Sequence, residues 1–336
     1  YSNNLPYIKR ILSFVKYAFY AIVKGRKIKV DLVFATSTPL TIAIPGVILS
    51  KIKKVPFVFE IRDLWPQMPI AIGALKSPIS KWLARRLETW AYNYSDRIIG
   101  LSPGICDGII QSGYPKERVI NIPNSCDNEI FQLNSNQAND FRQQHTWLGT
   151  NPLVIYTGSL GYVNQVNYLV NIASHMVSIN PKICFLVMGD GSEKNMILEK
   201  AKAIGILNKN FFMLSRLPKK EMPVLYHAAT ICTSLFLPLK EMWSNSANKF
   251  FDALAAGKPI MINYKGWQAK LIEEYNVGIV VPSDNITLAA KELEALITDK
   301  KRLFSYGKAA KELGIKLFDR EKLYKSFENV FLSVSN

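Results

Sequence analysis

Residues 153–161, Leu-Val-Ile-Tyr-Thr-Gly-Ser-Leu-Gly, pass from four apolar or aromatic positions into two closely spaced glycines. A short continuous apolar run that ends in glycine reads as a strand buried on both faces, which then turns towards a helix. The same sequence of events recurs at 183–191, Ile-Cys-Phe-Leu-Val-Met-Gly-Asp-Gly. Outward from these two, further β-branched and apolar runs predict strands over 31–35, 56–61, 97–101, 119–122, 211–214, 231–235, 259–262 and 278–281. Helical periodicity between them predicts helices over 80–94, 166–179, 193–203, 222–229 and 247–256. Strand–helix–strand repetition implies right-handed crossovers and doubly wound parallel sheets. A polar stretch over 133–152, rich in Asn and Gln, leaves four strands before it and six after. The expected fold is therefore α/β, with two Rossmann-like domains facing across a cleft. Ligands of such sheets bind beyond the carboxyl ends of the strands.

Composition narrows the partners. With 49% hydrophobic and 20% charged residues in 336, the chain is globular and long enough for two cored domains. Lys and Arg total 42 against 26 for Asp and Glu, a formal +16 that favours acidic partners. Residues 1–60 hold ten of the cations and two acids. Within them, 7–24 is apolar on most faces, with Phe14, Tyr17, Phe19 and Tyr20 set among lysines. Lys16 interrupts it, so it is not a membrane span. It reads either as a helix lying on an anionic lipid surface or as a half-buried helix with snorkelling lysines. No helix-turn-helix, RNA-recognition signature or zinc-finger spacing is present, and no nucleic-acid partner is expected. Four well-separated cysteines (Cys106, Cys126, Cys184, Cys232) read as reduced cytosolic thiols. The three histidines lack metal-ligand spacing, so no metal site is expected. The sequence starts at Tyr1 rather than Met and shows no signal peptide, which reads as a chain whose early residues are absent.

Four loops carry candidate chemistry. Gly158 and Gly161 would let backbone N–H groups approach a phosphate at a helix N-terminus, although glycines after strands also serve simply to turn the chain. Gly189-Asp190-Gly191 has the same two explanations. In 244–259, SNSANKFFDALAAGKP, the residues Asn248, Lys249 and Asp252 fall in the first turns of a helix. A lysine beside a helix N-terminus suits a pyrophosphate, and a carboxylate one turn on can accept from ribose hydroxyls. A capped surface helix with a Lys–Asp ion pair would look the same. Finally, 59–67, FEIRDLWPQ, places Glu60, Arg62 and Asp63 at a strand end, where carboxylates are readily functional unless Arg62 and Asp63 form a structural pair. Neither a P-loop nor a dinucleotide fingerprint is present.

Six stretches in fixed order carry a family resemblance: FEIRDLWPQMPIAIGALKSP from 59, DRIIGLSPGI from 96, VINIPNSCDNEIF from 119, YTGSLG from 156, VMGDGSE from 187 and NKFFDALAAGKPI from 248. They resemble the retaining glycosyltransferases of family 4, which have the GT-B fold of two Rossmann-like domains. More narrowly, they are similar to the branch that builds bacterial surface polysaccharides such as O-antigen and capsule, including N-acetyl-fucosamine transferases.

The resemblance implies a UDP-sugar donor, a polyprenyl-pyrophosphate-linked sugar as acceptor, retention of configuration, and no metal or cofactor. It assigns Asp252 to the donor ribose and puts Arg216 and Leu217 beside the base. The family's pair of glutamates eight positions apart is incomplete, with Ser244 at the first position and Glu241 nearby but out of register. Its pyrophosphate-binding Arg and Lys are replaced by Ser159 and Asn164, leaving Lys249 as the best remaining cation and Arg216 as second. On the acceptor side Asp63 matches an Arg-Asp-x-Trp-Pro element, but Gln67 stands where the branch usually has Glu and cannot take a proton. Asn124 and Asp127 match a Pro-Asn-x-x-Asp element and read as structural. The family's first strand and Gly-rich acceptor loop are missing from this sequence. The expected catalytic residues are Lys249, Asp63 and Asp252. Gly158, Ser159, Gly161, Gly189, Asp190, Gly191, Arg216, Leu217 and Asn248 join Lys249 and Asp252 around the donor. The expected domains are 1–145 for the acceptor and 150–318 for the nucleotide-sugar, with 319–336 a helix packing back on the first. The expected location is cytoplasmic, at the inner face of the cytoplasmic membrane. A GT-B-shaped UDP-sugar 2-epimerase and a catalytically degenerate sugar-nucleotide-binding subunit share the same features.

Overall fold

The computed structural model describes residues 7–132 and 141–335; of the polar stretch over 133–152, residues 133–140 lie outside the described residues. The chain forms two compact units. The first takes the residues up to Pro123, the segment Leu239–Ser246 and the chain from Glu321 onward; the second takes Asn124–Pro238 and Ala247–Arg320.

In the first unit, β1 (Val33–Thr36), β2 (Phe57–Ile61), β3 (Arg97–Gly100) and β4 (Val119–Asn121) make a parallel sheet in that order. Every residue of β2 is buried because the sheet is covered on both sides. Phe57, Phe59, Ile61 and Ile98 join a core with Val47, Tyr92, Ile105 and Ile109 from the helices Ala43–Lys53, Pro78–Asn93 and Pro103–Gln111. Val58, Ile99 and Ile122 meet Leu323, Phe327, Val330 and Phe331 of the C-terminal helix, Arg320–Ser335. The ring of Phe34 lies edge-on to Phe327 and Phe331. Alternate residues of one strand thus serve two different cores, which explains why the run is apolar at successive positions apart from Glu60. The first helix, Tyr7–Gly25, packs on Ala43–Lys53.

In the second unit, six parallel strands run in the order β10-β9-β8-β5-β6-β7. They are β5 (Leu153–Ser159), β6 (Cys184–Asp190), β7 (Phe211–Leu214), β8 (Ile231–Ser234), β9 (Ile260–Ile262) and β10 (Gly278–Val280). The chain enters at β5, winds out to β7, then returns to β8 on the other side of β5 and winds out to β10. That reversal between β5 and β8 is a topological switch point, the place where open α/β sheets take ligands. Tyr156, Phe185, Val187 and Phe211 form the core with Leu169, Ala173 and Met176 of the helix Asn167–Ile179 and with Leu293 and Leu296 of the helix Ile286–Thr298.

All ten expected strands are present. β5 and β6 run further than their apolar runs, because the ladder between them continues through Gly158↔Gly189 to Ser159↔Asp190. Gly158 is therefore part of a strand, with φ of +125°, and not merely a turn residue. A Cβ on Gly189 would fall onto the carbonyl oxygen of Gly158, and one on Gly191 would strike the backbone of Leu160. Close approach of two backbones is thus a sufficient cause for both glycines. Gly189→Ala is expected to destabilise the protein by at least about 2 kcal/mol in urea unfolding, since the clash is with backbone that cannot rotate away. Gly161→Ala, where the nearest atom is the Asn164 amide nitrogen at 3.7 Å, should leave stability nearly unchanged.

Candidate functional site

At the switch point of the second unit the helix Asn248–Ala255 begins with Ala247 as its N-cap, and no side chain caps it. Orphan backbone N–H groups at such an end attract anions. Lys249, in the first turn, is partly buried, and the end of its side chain lies 3.5 Å from where a Cβ on Gly158 would stand. The ammonium sits 5.1 Å from the ring centre of Tyr156 and 5.7 Å from that of Phe236. Tyr156 is held from below by its hydroxyl, which donates to the Ser159 carbonyl at 2.8 Å. Burial pulls the Lys249 pKa down to about 8, with Asp252 partly opposing the shift. Aromatic faces attract the cation but return little of the lost hydration.

One turn later Asp252 is partly buried, and burial raises its carboxyl to about 6. The neighbouring charges of Lys219 and Lys249 lower it, and Asp127 raises it. Asp127 in turn is held by Lys219 at 3.3 Å and by Arg320 at 2.5 Å. Lys249, Asp252, Lys219 and Asp127 thus form one charge cluster in this unit.

The flanking loops are tied to each other. The Leu160 amide donates to the Asp190 carbonyl at 2.9 Å, and the Glu193 amide donates to the Leu160 carbonyl at 2.9 Å. The Asp190 carboxylate accepts from the Gly191 amide at 2.9 Å and lies 3.9 Å from Lys194. Gly158, Ser159 and Asp190 are exposed, Gly161 and Gly191 are partly exposed and Gly189 is buried. Asn248 is exposed in the first turn of its helix, and Asn164 is buried. Arg216 and Leu217 follow the edge strand β7 at the same end of the sheet, two strands from β5, with Arg216 exposed. The structure therefore gathers Gly158, Ser159, Lys249 and Asp252 at the switch point and leaves Arg216 and Leu217 nearer the sheet edge. Lys219, Tyr156 and Phe236 were missed in the sequence. The only hint at Lys219 was the lysine pair that follows the Arg216-Leu217 loop.

In the first unit Asp63 follows β2. Its carboxylate accepts from the Thr38 hydroxyl at 2.9 Å, and burial raises its pKa against the lowering effects of Thr38 and Arg62. Arg62 pairs with Glu60 at 3.5 Å, and Glu60 also accepts from the Thr36 hydroxyl. A cavity of about 350 Å³ is lined by Asp63, Gln67, Gln111, Lys240, Glu241 and Ser244. Ser244 is anchored by its carbonyl, which accepts from the Ser102 hydroxyl at 2.5 Å. Behind the cavity, buried Glu88 bonds to the side chains of Gln67 and Tyr92, and burial pushes its carboxyl up to about 7.

All four cysteines are free and buried. Among the described residues no group of three or more His, Cys, Asp or Glu is placed to hold a metal ion.

The second half of the chain, residues 137–313, matches the model of the glycosyl transferases of group 1, and residues 4–125 match a glycosyl transferase 4-like domain. The chain belongs to the group 1 glycosyl transferases. No curated relative matches it. Among solved structures, HepE of Anabaena in complex with UDP and glucose is 17% identical with a TM-score of 0.79, over 95% of this chain and 82% of its own. Sucrose-phosphate synthase of Thermosynechococcus elongatus is 14% identical with a TM-score of 0.77, over 98% and 80%. A glycosyltransferase of Rickettsia africae is 13% identical with a TM-score of 0.70, over 98% and 82%. The expected fold class, two parallel-sheet α/β domains of the GT-B type, is borne out.

An ammonium with a folded pKa of about 8 and an ordinary value of 10.5 weakens the fold fully below about pH 8. That weakening fades as the pH rises towards 10.5, because the unfolded chain then holds more protons than the folded one. The melting temperature of the wild type, measured relative to Lys249→Met, should therefore climb between these two pH values. A difference that stays flat would show that Lys249 is not desolvated.

Proposed function

We propose that this chain transfers a sugar from a UDP-sugar to a sugar on a polyprenyl-pyrophosphate carrier, with retention of configuration, in the assembly of a bacterial surface polysaccharide such as O-antigen or capsule. The observation that carries the reading is the placement of Lys249. A single half-desolvated ammonium stands over the Gly158 backbone, beside an uncapped helix N-terminus, at the sheet's switch point. The UDP bound in HepE, a protein of the same fold, supports a UDP-sugar as donor.

As the bond between the anomeric carbon and the diphosphate breaks, negative charge grows on the leaving oxygen. Lys249 and the first backbone N–H groups of the helix Asn248–Ala255 are placed to stabilise it, and a preorganised site spends no energy rotating solvent dipoles. A bound diphosphate would raise the Lys249 pKa and keep it charged at neutral pH. Asp252 accepts from the ribose hydroxyls. The loops at Gly158–Gly161 and Gly189–Gly191 present the donor, with Arg216 and Leu217 towards the base. Asp63 belongs to the acceptor half, together with Gln67, Glu241 and Ser244 around its cavity. With Lys249 supplying the positive charge, the reaction proceeds without a resident metal or cofactor.

The excess of cations before residue 61 suits an acceptor anchored in an anionic cytoplasmic membrane. Each Lys or Arg near such a surface contributes about 1 kcal/mol. Among the described residues no helix is long and apolar enough to cross a membrane.

Lys249→Ala should lower turnover by about 10²–10³ while the melting curve stays cooperative, as for the loss of one charge-stabilising donor. EDTA should leave turnover unchanged, and inhibition reversed by magnesium would overturn the metal-free step. Conversion of UDP-GlcNAc without acceptor would identify an epimerase instead, and UDP binding without turnover on any lipid-linked sugar would identify a degenerate subunit. Vesicle flotation should show stronger binding to anionic than to neutral lipid; equal binding would remove the electrostatic part of this reading.

A further inference from the structure

The helix Pro78–Asn93 buries Glu88, Ala91 and Tyr92 in the first unit and leaves a large apolar face uncovered. Ile79 is 71% exposed, Trp82 60% and Leu83 55%. With Arg86 they recur at i, i+3, i+4 and i+7, a single stripe along the helix. Isolated exposed hydrophobics need no explanation, but three large ones on one stripe, including a tryptophan, do. The guanidinium of Arg86 lies 5.8 Å from the Trp82 ring centre. Around the stripe stand Lys76, Lys81, Arg85 and Arg86, and residues 76–87 contain no acid at all. The helix packs through Ala43–Lys53, where Lys51 stands 3.4 Å from the ring centre of Tyr94.

With the membrane-surface reading above as its premise, we infer that the Ile79–Trp82–Leu83 stripe is a hydrophobic anchor that inserts into the headgroup–acyl boundary of an anionic bilayer. The chemistry matches that occupant in two independent ways. Apolar side chains on a segment whose only charged residues, over 76–87, are cations complement a surface that is apolar within and negative at its rim. Indole and guanidinium both sit comfortably at headgroup depth, where one end of a side chain is wet and the other greasy. A protein partner would more commonly be met by a face carrying both signs of charge. This stripe lies outside the basic first 60 residues, so it adds a second apolar contact to the membrane-surface reading of that segment.

The test uses the whole chain with vesicles of phosphatidylglycerol and phosphatidylcholine. The triple variant Ile79→Ser, Trp82→Ser, Leu83→Ser should keep the wild-type circular dichroism and melting point, because all three side chains are exposed. Its partition into the vesicles should fall about tenfold or more, given the apolar area removed. Brominated lipid should quench part of the wild-type tryptophan emission, and Trp82→Phe should lose that quenched part while still binding. Wild-type binding by the triple variant, or undiminished quenching in Trp82→Phe, overturns the anchor. So does a triple variant that turns a dimer into a monomer on sedimentation, since the stripe would then be a contact between copies. If the wild type favours anionic vesicles but the triple variant binds equally well, the anchor alone fails. If the wild type binds neither kind of vesicle, the membrane reading fails with it.

Discussion

A lysine ammonium drawn out of water onto two aromatic rings is unstable unless something returns the lost hydration. Here Lys249 leans over Gly158, with the rings of Tyr156 and Phe236 nearby and Asp252 one helical turn away. None of these fully offsets its burial, which is why it holds its proton less tightly than an ordinary lysine. A dianion placed above it would restore the missing interactions. Gly158 lies directly beside the lysine: a Cβ there would meet the Lys249 side chain at 3.5 Å, ordinary contact, while the φ of +125° itself favours glycine at this position.

The charge around it is shared. Asp127 accepts from both Lys219 and Arg320, while Asp252 makes no such close ion pair among the described residues and carries a raised pKa. Two carboxylates of the same unit thus divide into a firmly paired one and a loosely held one. The loosely held one feels the charges of Lys219 and of Lys249, one helical turn before it. Asp63 of the first unit has a similar character, being buried with a threonine hydroxyl as its hydrogen-bond donor.

The strands were readable because parallel strands covered on both faces are apolar at most consecutive positions; in β2 all five residues are buried and only Glu60 is charged. Lys249 and Asp252 were readable as a helical pair near glycine-ended strands. What could not be read depends on register. The extension of β5 to Ser159 follows from two glycines meeting across the ladder, which no local pattern reveals. Arg62 pairs with Glu60, two residues away on the same strand end, where Thr36 of β1 also donates. The adjacent Arg62 and Asp63 looked equally able to pair until the strand placed their side chains. Lys219 belongs to the cluster only because the loop after β7 returns towards Asp127.

The last helix has a consequence for how the molecule is made. Val58, Ile99 and Ile122 of the first unit find their cover on Leu323, Phe327 and Phe331, residues that follow the last residue of the second unit in the chain. Until these are made one side of the first sheet is bare while the whole of the second unit is already available to fold. Chain order and spatial order therefore disagree: the first unit is completed by a segment that follows the whole of the second. While the second unit is being made, that side of the first sheet keeps Val58, Ile99 and Ile122 without the helix that covers them.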